Sequence, residues 1–506
     1  MGGKSSKEGK KEMIPLQENS TSGSNTISLT SDIYVGQAKA DPYVDYMNIK
    51  FLGEGSFAQV CKVRNKLTGQ IRAMKIIKKS STCSQADDME ILNEINLLKT
   101  MDHPNILKIF EFYVSADSYF LVTELCSGGE LFQEIIDKGP FNENLSAYLM
   151  FQILSAINYC HSMNIVHRDL KPENILISKR ENGLLRVKVC DFGTSKMVEK
   201  GSVIKKIVGS SYYIAPEVLQ KNYNEKCDLW SCGVILYILL SARPPFEGDD
   251  DKEIIERVKT GKYDLTSSPW DKVSKEAKDL ISKLLVMDID KRIDAKTALE
   301  HPWFIKNKSK EMFNEIKDQS MIEKYVENLK NYHPDSVIQE AALAYLVHNY
   351  PNLDDIGNAC KLFNQINKSG DGKITKEELL KLLENKLHKS TLKDDVDIIF
   401  KNIDGDNNGY IQYEEFVRAA IDKSVFLAEN ILKYAFRYFD KDGSGEISYN
   451  EIEEVFKSSV VKGNVHDSLK KIISEVDING DGKISFEEFA HAMRKLLNYD
   501  KEKDDF

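Results

Sequence analysis

The stretch His167-Arg168-Asp169-Leu170-Lys171-Pro172-Glu173-Asn174 sets a proton acceptor, a phosphate-facing cation and a metal ligand within eight residues. Asp169 is suited to take the proton of a substrate hydroxyl. Seventeen residues past Asn174 stands Asp191-Phe192-Gly193, and side-chain oxygens of Asn174 and Asp191 converging on one spot suit octahedral Mg²⁺, which keeps waters and takes few protein ligands. A positioned base, nearby cations and bound Mg²⁺ are the equipment of phosphoryl transfer. Asp169 and Asn174 are poor candidates for structural filler, because a buried polar group with nothing bound to it costs about 1–3 kcal/mol.

Holding such groups in place takes a large fold, and the chain is long enough for several. Its 506 residues correspond to roughly three to four units of about 150 residues. With 42% apolar and 29% charged residues the composition is globular, so most of it can bury a core. The net charge of −10 lies mostly after residue 350, which argues against nucleic acid as a partner. The eight cysteines show no paired metal spacing and follow no secretory leader, so they read as reduced thiols of a cytosolic protein. Leu229 to Leu240 is the longest apolar run, interrupted by Ser231 and Gly233. It falls short of the roughly 20 residues needed to span a bilayer and reads as a buried helix.

Short alternating strands with turn signals begin at Tyr46. In Leu52-Gly53-Glu54-Gly55-Ser56-Phe57-Ala58-Gln59-Val60 the glycines at 53 and 55 let backbone approach phosphate oxygens. Ala73-Met74-Lys75 follows, with Lys75 on a strand. Glu94 precedes Ile95, Leu97 and Leu98 as an inward-facing helical residue would, and is preferred over Glu90 one turn earlier. Together with Ala215-Pro216-Glu217, these motifs resemble the eukaryotic protein kinases in order and spacing, with Ala58 in place of the third glycine.

That resemblance implies a bilobal α+β fold over residues 46–304. It implies an ion pair between Lys75 and Glu94, and ATP held by Leu52, Gly53, Gly55, Val60 and Lys75. Phe120 to Cys126 would be the strand and hinge that grip adenine through backbone groups of Glu124 and Cys126, with Thr123 as gatekeeper. Glu130 would contact ribose or a substrate arginine, which points to protein substrates with basic residues upstream. A plain helix-terminal acid favoured by the dipole is the alternative for Glu130. Asn174 and Asp191 would hold Mg²⁺, and Lys171 marks a Ser/Thr rather than a tyrosine kinase. His167 and Leu170 would brace the loop, and Ser210 would bond Asp169 and Lys171. Asp228, Trp230, Gly233, the pair Glu217 with Arg292, and His301-Pro302-Trp303-Phe304 would be structural. Arg168 usually meets an anionic group before Gly209, but Lys205 and Lys206 stand there; this argues against a phosphate switch at that point, with Ser202 left as an alternative.

Residues 305–350 form a junction. Lys306, Lys308 and Lys310 lead to apolar residues at 313, 316, 322, 325, 326 and 329, a helical stripe ended by Pro334. Ser336 with Gln339 forms a capping-box pattern ahead of a second stripe, Ile338, Ala342, Tyr345 and Leu346. The junction is either a helical linker or a switch that docks its apolar face in a groove.

Four twelve-residue loops then begin at Asn367, Asp404, Asp440 and Asp477, at spacings of 37, 36 and 37 residues, a repeat that demands four equivalent units. Each has the EF-hand pattern for Ca²⁺. Glycine stands sixth (Gly372, Gly409, Gly445, Gly482), isoleucine eighth (Ile374, Ile411, Ile447, Ile484) and glutamate twelfth (Glu378, Glu415, Glu451, Glu488). The expected ligands are Asn367, Ser369, Asp371 and Lys373 in the first loop; Asp404, Asp406, Asn408 and Tyr410 in the second; Asp440, Asp442, Ser444 and Glu446 in the third; and Asp477, Asn479, Asp481 and Lys483 in the fourth, each set closed by its glutamate. The first loop lacks the usual acids at its first and third positions. It is either a weak Ca²⁺ site or a turn that never loads.

A kinase, a junction and four EF-hands in one chain resemble the calcium-dependent protein kinases of plants and protists. The resemblance implies a monomer whose junction restrains the kinase at low Ca²⁺ and releases it when up to four ions load. The expected divisions are a tether at 1–45, the kinase at 46–304, the junction at 305–350, and EF-hand lobes at 351–422 and 423–506. Residues 12–41 are rich in Ser, Thr and Asn and are expected to be without structure. Met1-Gly2-Gly3-Lys4-Ser5-Ser6 fits myristoylation of Gly2, and the following lysines would add a reversible hold on an anionic membrane. A Ca²⁺-responsive scaffold with an inert kinase domain, and an always-active kinase carrying a Ca²⁺ buffer, are the competing readings.

Overall fold

A computed structural model describes residues 27–28, 35–38, 41–54, 58–79, 85–181, 184–198, 202–307, 316, 318–334, 336–350, 354–387, 392–405, 408–456, 460–461 and 465–501. Gly2, Gly55 and Asp406 lie outside these residues.

The first unit is bilobal, as expected. Its small lobe is a six-stranded sheet in the order Gly36–Ala38, Ile109–Val114, Ser118–Glu124, Ile71–Lys78, Ala58–Asn65, Tyr46–Glu54. All neighbours are antiparallel except Gly36–Ala38, which runs parallel to Ile109–Val114. Because side chains alternate faces along a strand, Met74 is buried in the sheet core while Lys75 faces the cleft side, opposite Val60 and Leu121. The helix Gln85–Thr100 carries Glu94 across this sheet.

The large lobe is helical. The helix Glu143–Ser162 starts where Asn142 accepts a hydrogen bond from the Leu145 N–H, the standard way to satisfy an orphan donor at a helix start. Every residue of Cys227–Ser241 is buried, as an all-round apolar helix must be. Glu217 and Arg292 form the expected buried bidentate pair at 2.5 and 3.0 Å.

The second unit has its own core, which runs without a break from Ile316 in the junction to Met493. In each EF-hand lobe the eighth-position isoleucines pair across a two-residue ladder, Ile374 with Ile411 and Ile447 with Ile484, all fully buried. The first junction helix, Gln319–Lys330, buries Ile322, Tyr325, Val326 and Leu329 as the stripe predicts. It begins after residues 313 and 316 and stops at Asn331, ahead of Pro334. It is held by Tyr325 Oη to Asp355 Oδ1 at 2.8 Å and Lys330 to Asp395 at 3.0 Å.

The second junction helix, Val337–Asn349, has the capping box between Ser336 and Gln339. Here the expected single stripe is corrected. Besides Ile338, Ala342, Tyr345 and Leu346, the helix buries Ala341, Leu343, Ala344, Val347, His348 and Asn349. It is enclosed because Tyr413–Ala420 of the first lobe, and Glu429–Phe439 and Phe486–Lys501 of the second, all pack on it. Tyr345 stacks on Tyr438 with centroids 4.2 Å apart, and Gln339 donates to the Ala492 carbonyl.

The last turn of this helix meets the back of the small lobe. Arg72, on the strand Ile71–Lys78, is 1% exposed. It donates to Tyr46 Oη at 2.7 Å, to the Asn349 carbonyl at 3.2 Å and side-chain oxygen at 3.0 Å, and to Tyr434 Oη at 3.2 Å. Its guanidinium lies 4.2 Å over the Phe110 ring, and Glu111 stands 3.6 Å away. Burial works against the charge, but Tyr434, Tyr46 and Glu111 hold its pKa above the ordinary arginine value. Beside it, Glu414 accepts from Lys108 at 2.6 Å and lies 2.7 Å from His348 Nδ1, while His348 Nε2 donates to the Ile109 carbonyl at 2.8 Å. Burial opposes the Glu414 carboxylate, yet Lys108 and His348 keep its pKa below the usual range.

The expectation of an unstructured segment at 12–41 is corrected in part. Gly36–Ala38 adds a strand to the small-lobe sheet, and Ile27–Ser28 pairs antiparallel with Val460–Val461 of the second EF-hand lobe. The exposed edge of the small-lobe sheet presents unpaired backbone groups that even a polar segment such as Gly36–Ala38 can satisfy.

Removing one partner from a buried ion pair leaves the other charge uncompensated, a loss of about 3–5 kcal/mol. Arg72→Met and Arg72→Ala are therefore both expected to lower the melting temperature of the full chain, and Arg72→Ala further because it also loses the packed stem. Equal melting of both variants and the parent would contradict the anchoring role.

Candidate functional site

The cleft between the lobes brings the expected residues together. Lys75 Nζ lies 3.5 Å from Glu94 Oε1 and 3.9 Å from Asp191 Oδ1. Burial opposes the Lys75 ammonium, but Glu94 and Asp191 raise its pKa. Burial also pushes Glu94 up, with Lys75 pulling back. The side chain of Glu90 is not among the described ones. Leu52 and Gly53 sit at the exposed end of Tyr46–Glu54, and Gly53 pairs with Val60, which is half-buried beside the cleft.

At the catalytic loop, Asp169 Oδ2 is 2.9 Å from Lys171 Nζ, and Asp169 Oδ1 accepts from the Ser210 N–H and Oγ–H, each at 3.0 Å. Lys171 also donates to Ser210 Oγ at 2.9 Å. Asn174 Nδ2 donates to the Asp169 carbonyl at 2.9 Å, which leaves its amide oxygen as the metal-facing atom. Arg168 and Asp191 hold left-handed backbone at φ 73° and 63°, conformations that cost L-residues energy and cluster at functional sites. A Cβ on Gly209 would lie 2.9 Å from the Arg168 carbonyl, so only glycine fits there.

Asp228 supports this loop from behind. It accepts from the N–H groups of His167 and Arg168 and lies 2.9 Å from His161 Nε2. Burial opposes its charge, and these donors nonetheless hold its pKa below the usual carboxylate value. His167 packs on Phe192 with centroids 4.8 Å apart, and its Nε2 is 3.1 Å from the Cys190 carbonyl.

At the hinge, Thr123 is buried and the Glu124 carboxylate accepts from Lys108 N at 2.8 Å and pairs with Lys188 at 2.8 Å. Cys126 is half-buried, and burial with Glu124 nearby pushes its thiol up. Glu130 is exposed at the start of the helix Leu131–Lys138 and makes no capping bond, so both readings of it stay compatible with its position.

Arg72, Lys108 and Glu414, the links to the second unit, escape sequence reasoning. Arg72 has one sequence signal, a charge set among apolar residues of a strand, Ile71-Arg72-Ala73-Met74. Glu134 is likewise missed: hydrogen bonds from Arg180 at 2.7 Å lower its pKa to about 2.

The four loops share one geometry. Gly372, Gly409, Gly445 and Gly482 all hold left-handed backbone, φ 77° to 88°. In the third loop, carboxylate oxygens of Asp440, Asp442 and Glu451 lie within 4.8 Å of one another. Glu451 accepts from the Lys441 and Asp442 N–H groups and from Ser448. Ser444 N donates to Asp440 and Asp442. In the fourth loop, Asp477 accepts from Gly480 N and Gly482 N, and Glu488 from Ile478 N and Ser485 N; Asn479 and Asp481 bond each other at 2.9 Å. The side chains of the seventh residues Glu446 and Lys483 pair at 2.6 Å, and the Glu446 carbonyl accepts from Ser444 Oγ at 3.0 Å. In the second loop, Asp404 accepts from Asn408 N and Gly409 N, Asn408 from Tyr410 N, and Glu415 from Gln412 N. In the first, Ser369 Oγ bridges Asn367 and Asp371, Asp371 accepts from Lys373 N, and Glu378 accepts from Ser369 N and Thr375 N. The clustered acids fit a hard cation with oxygen ligands.

A protein kinase domain model matches residues 46–304, and an EF-hand domain pair model matches 358–421 and 429–494. The chain is 40% identical over 502 residues to calcium-dependent protein kinase 4 of Plasmodium berghei (strain Anka), covering 96% of this chain and 94% of that one. It is 41% identical over 464 residues to calcium-dependent protein kinase 4 of Plasmodium falciparum (isolate 3D7), covering 90% and 87%. To calcium-dependent protein kinase 21 of Arabidopsis thaliana it is 37% identical over 484 residues, covering 94% and 88%.

Asp169→Asn is expected to lower kcat for γ-phosphoryl transfer by about 10²–10⁴-fold, the usual worth of a general base, with Ca²⁺ binding unchanged. Ser210→Ala removes two side-chain hydrogen bonds and is expected to lower kcat about 30-fold at about 1 kcal/mol per bond. Steady-state kinetics check both; wild-type turnover in either variant would contradict the assignment.

Proposed function

Because this chain belongs to the calcium-dependent protein kinases, we propose that its calcium-activated transfer of the ATP γ-phosphoryl group to protein Ser/Thr is gated by the two junction helices. Asp169 accepts the proton of the substrate hydroxyl, and Ser210 and Lys171 fix its carboxylate. Lys75, braced by Glu94, meets the phosphates. Backbone groups of Glu124 and Cys126 take adenine, with Leu52, Gly53 and Val60 above it. Asn174 and Asp191 hold Mg²⁺, which when bound offsets charge on the β- and γ-phosphoryl oxygens. Exposed Glu130 at the cleft mouth favours substrates with upstream basic residues.

The observation that carries the gating is the place of Val337–Asn349. Its apolar residues lie between both EF-hand lobes while its last turn is bonded to Arg72 and Ile109. Ca²⁺ held by the second, third and fourth loops keeps those lobes open around the helix, in the sensor range of about 10⁻⁷–10⁻⁵ M. With the loops empty, the grooves close, both junction helices are released, and their apolar faces dock on the kinase instead and restrain it. Moving such a switch from 1% to 99% active takes about 5.5 kcal/mol of differential binding, which several loops share. The protein acts as a monomer in the cytoplasm. An N-myristoyl group on Gly2, together with the nearby lysines, gives a reversible hold on membranes, supported by the motif at the start of the sequence.

Kinase activity titrated against free Ca²⁺ tests this reading. The parent is expected to be silent in chelator and to rise steeply in the sensor range. Glu451→Gln and Glu488→Gln are each expected to raise the half-activating Ca²⁺ about tenfold or more with the maximum preserved. Equal turnover in chelator and in Ca²⁺ would leave two unconnected modules.

A further inference from the structure

The first EF-hand loop differs from the other three in what surrounds it. Gly370, its fourth residue, is buried, and its carbonyl accepts a hydrogen bond from Ser155 Oγ at 3.0 Å. The neighbouring Ser369 carbonyl accepts from Asn158 Nδ2 at 3.4 Å. Both donors lie on the helix Glu143–Ser162 of the kinase large lobe. A Cβ on Gly370 would stand 2.9 Å from Leu299 and 3.2 Å from Ser155, and one on Gly372 would stand 2.7 Å from the Tyr159 ring. By contrast, a Cβ on Gly409, Gly443, Gly445, Gly480 or Gly482 would meet nothing within 4 Å. The other loops face open space, and the first is seated.

Its receptor is prepared for a backbone carbonyl. Asn105 N–H donates to His103 Nδ1 at 3.1 Å, so Nε2 carries the ring proton and donates to Ser155 Oγ at 3.2 Å. The Ser155 hydroxyl proton is thereby directed at Gly370. Burial holds the His103 pKa down to about 3, which keeps this ring neutral. His103 and Tyr159 stack at 5.2 Å, and Tyr159 Oη accepts from Asp102 N at 2.8 Å. The segment so gripped, residues 101–105, directly follows the helix that carries Glu94.

The composition of the loop matches the seat. Neutral Asn367 and Ser369 stand where the other loops place acids at the first and, in two of them, the third position, and Asn367 is only 4% exposed. A loop with the usual charge would carry uncompensated carboxylates into a protein interface. We propose that the first EF-hand loop has been given over from Ca²⁺ sensing to docking: residues 367–373, with neutral Asn367 and Ser369 in place of the usual acids, form a knob received by His103, Ser155, Asn158, Tyr159 and Leu299, which fixes the Ca²⁺-loaded unit on the large lobe. The proposal rests on the calcium-gated reading above, to which it adds a contact made by no metal.

The test uses the full chain. Gly370→Asn keeps a residue that accepts left-handed backbone, and asparagine already fills the equivalent place in the second loop as Asn407. Its side chain would collide with the seat. Gly443→Asn makes the same change in the third loop, where there is room. Gly370→Asn is expected to raise the half-activating Ca²⁺ at least fivefold, and Gly443→Asn by a clearly smaller factor. Calorimetry of the parent is expected to give three Ca²⁺ per chain. In Ca²⁺, amides 367–374 are expected to exchange hydrogen at least tenfold more slowly than amides 477–484, and Gly370→Asn is expected to abolish that difference. Four bound Ca²⁺, equal half-activation in both variants, or equal exchange of the two loops in the parent would overturn the proposal. A parent whose turnover ignores Ca²⁺ would defeat the gating reading instead, and the exchange measurement would still decide the docking.

Discussion

A guanidinium buried between two folding units is the constraint on which the arrangement of this chain depends. Arg72 sits on the strand that also carries Lys75, three residues away and on the opposite face. Its partners come from both sides: Tyr46 and Glu111 from the small lobe, Asn349 and Tyr434 from the unit that carries the Ca²⁺ loops. A buried charge is tolerated only where it is paired and hydrogen-bonded, and both terminal nitrogens of Arg72 are. The small lobe alone supplies part of this bonding. The rest comes from the end of Val337–Asn349 and from Tyr434, and that helix is enclosed by both EF-hand lobes.

This makes the contact specific more than strong. Apolar packing could hold the two units together, but it would tolerate sliding. A fork of donors aimed at a carbonyl, an amide oxygen and a phenol fixes one register. The second ionic cluster acts in the same sense: Lys108, His348 and Glu414 join the strand Ile109–Val114 to the exit helix of the second loop. Asp102 accepts from Glu414 N at 2.6 Å and links that helix to the segment following the Glu94 helix. The exit helix of the second EF-hand loop is thus joined by hydrogen bonds to the strand Ile109–Val114 and to the segment that follows the Glu94 helix.

What was legible in the sequence was local. The catalytic loop, Asp191-Phe192-Gly193 and the Ca²⁺ loops are short segments whose chemistry fixes both residue type and spacing, so Asp169, Lys171, Asn174 and the twelfth-position glutamates stand out without any fold. Lys75 with Glu94 was legible too, through a strand and a helical spacing. The junction was half legible. The stripe in Gln319–Lys330 is correct, but Val337–Asn349 is buried at most of its residues, which a periodicity cannot reveal when a covering contact lies 153 residues away. Arg72 and Gly370 were illegible for the same reason: their partners are set by tertiary contact. The strands at Ile27–Ser28 and Gly36–Ala38 were missed because they are held by backbone pairing, the first with Val460–Val461 alone and the second at the edge of the small-lobe sheet, without an apolar pattern of their own.

The central claim is a coupling between metal loading and the substrate cleft, and coupling is reciprocal for binding equilibria. The direct measurement is the Ca²⁺ affinity of the full-length chain, by calorimetry, with and without a saturating non-hydrolysable nucleotide and a basic Ser/Thr peptide. The account predicts that the filled cleft tightens Ca²⁺ binding by roughly the 5–150-fold typical of allosteric coupling, and that Arg72→Met reduces this factor. Identical Ca²⁺ affinity with the cleft empty and filled would contradict it.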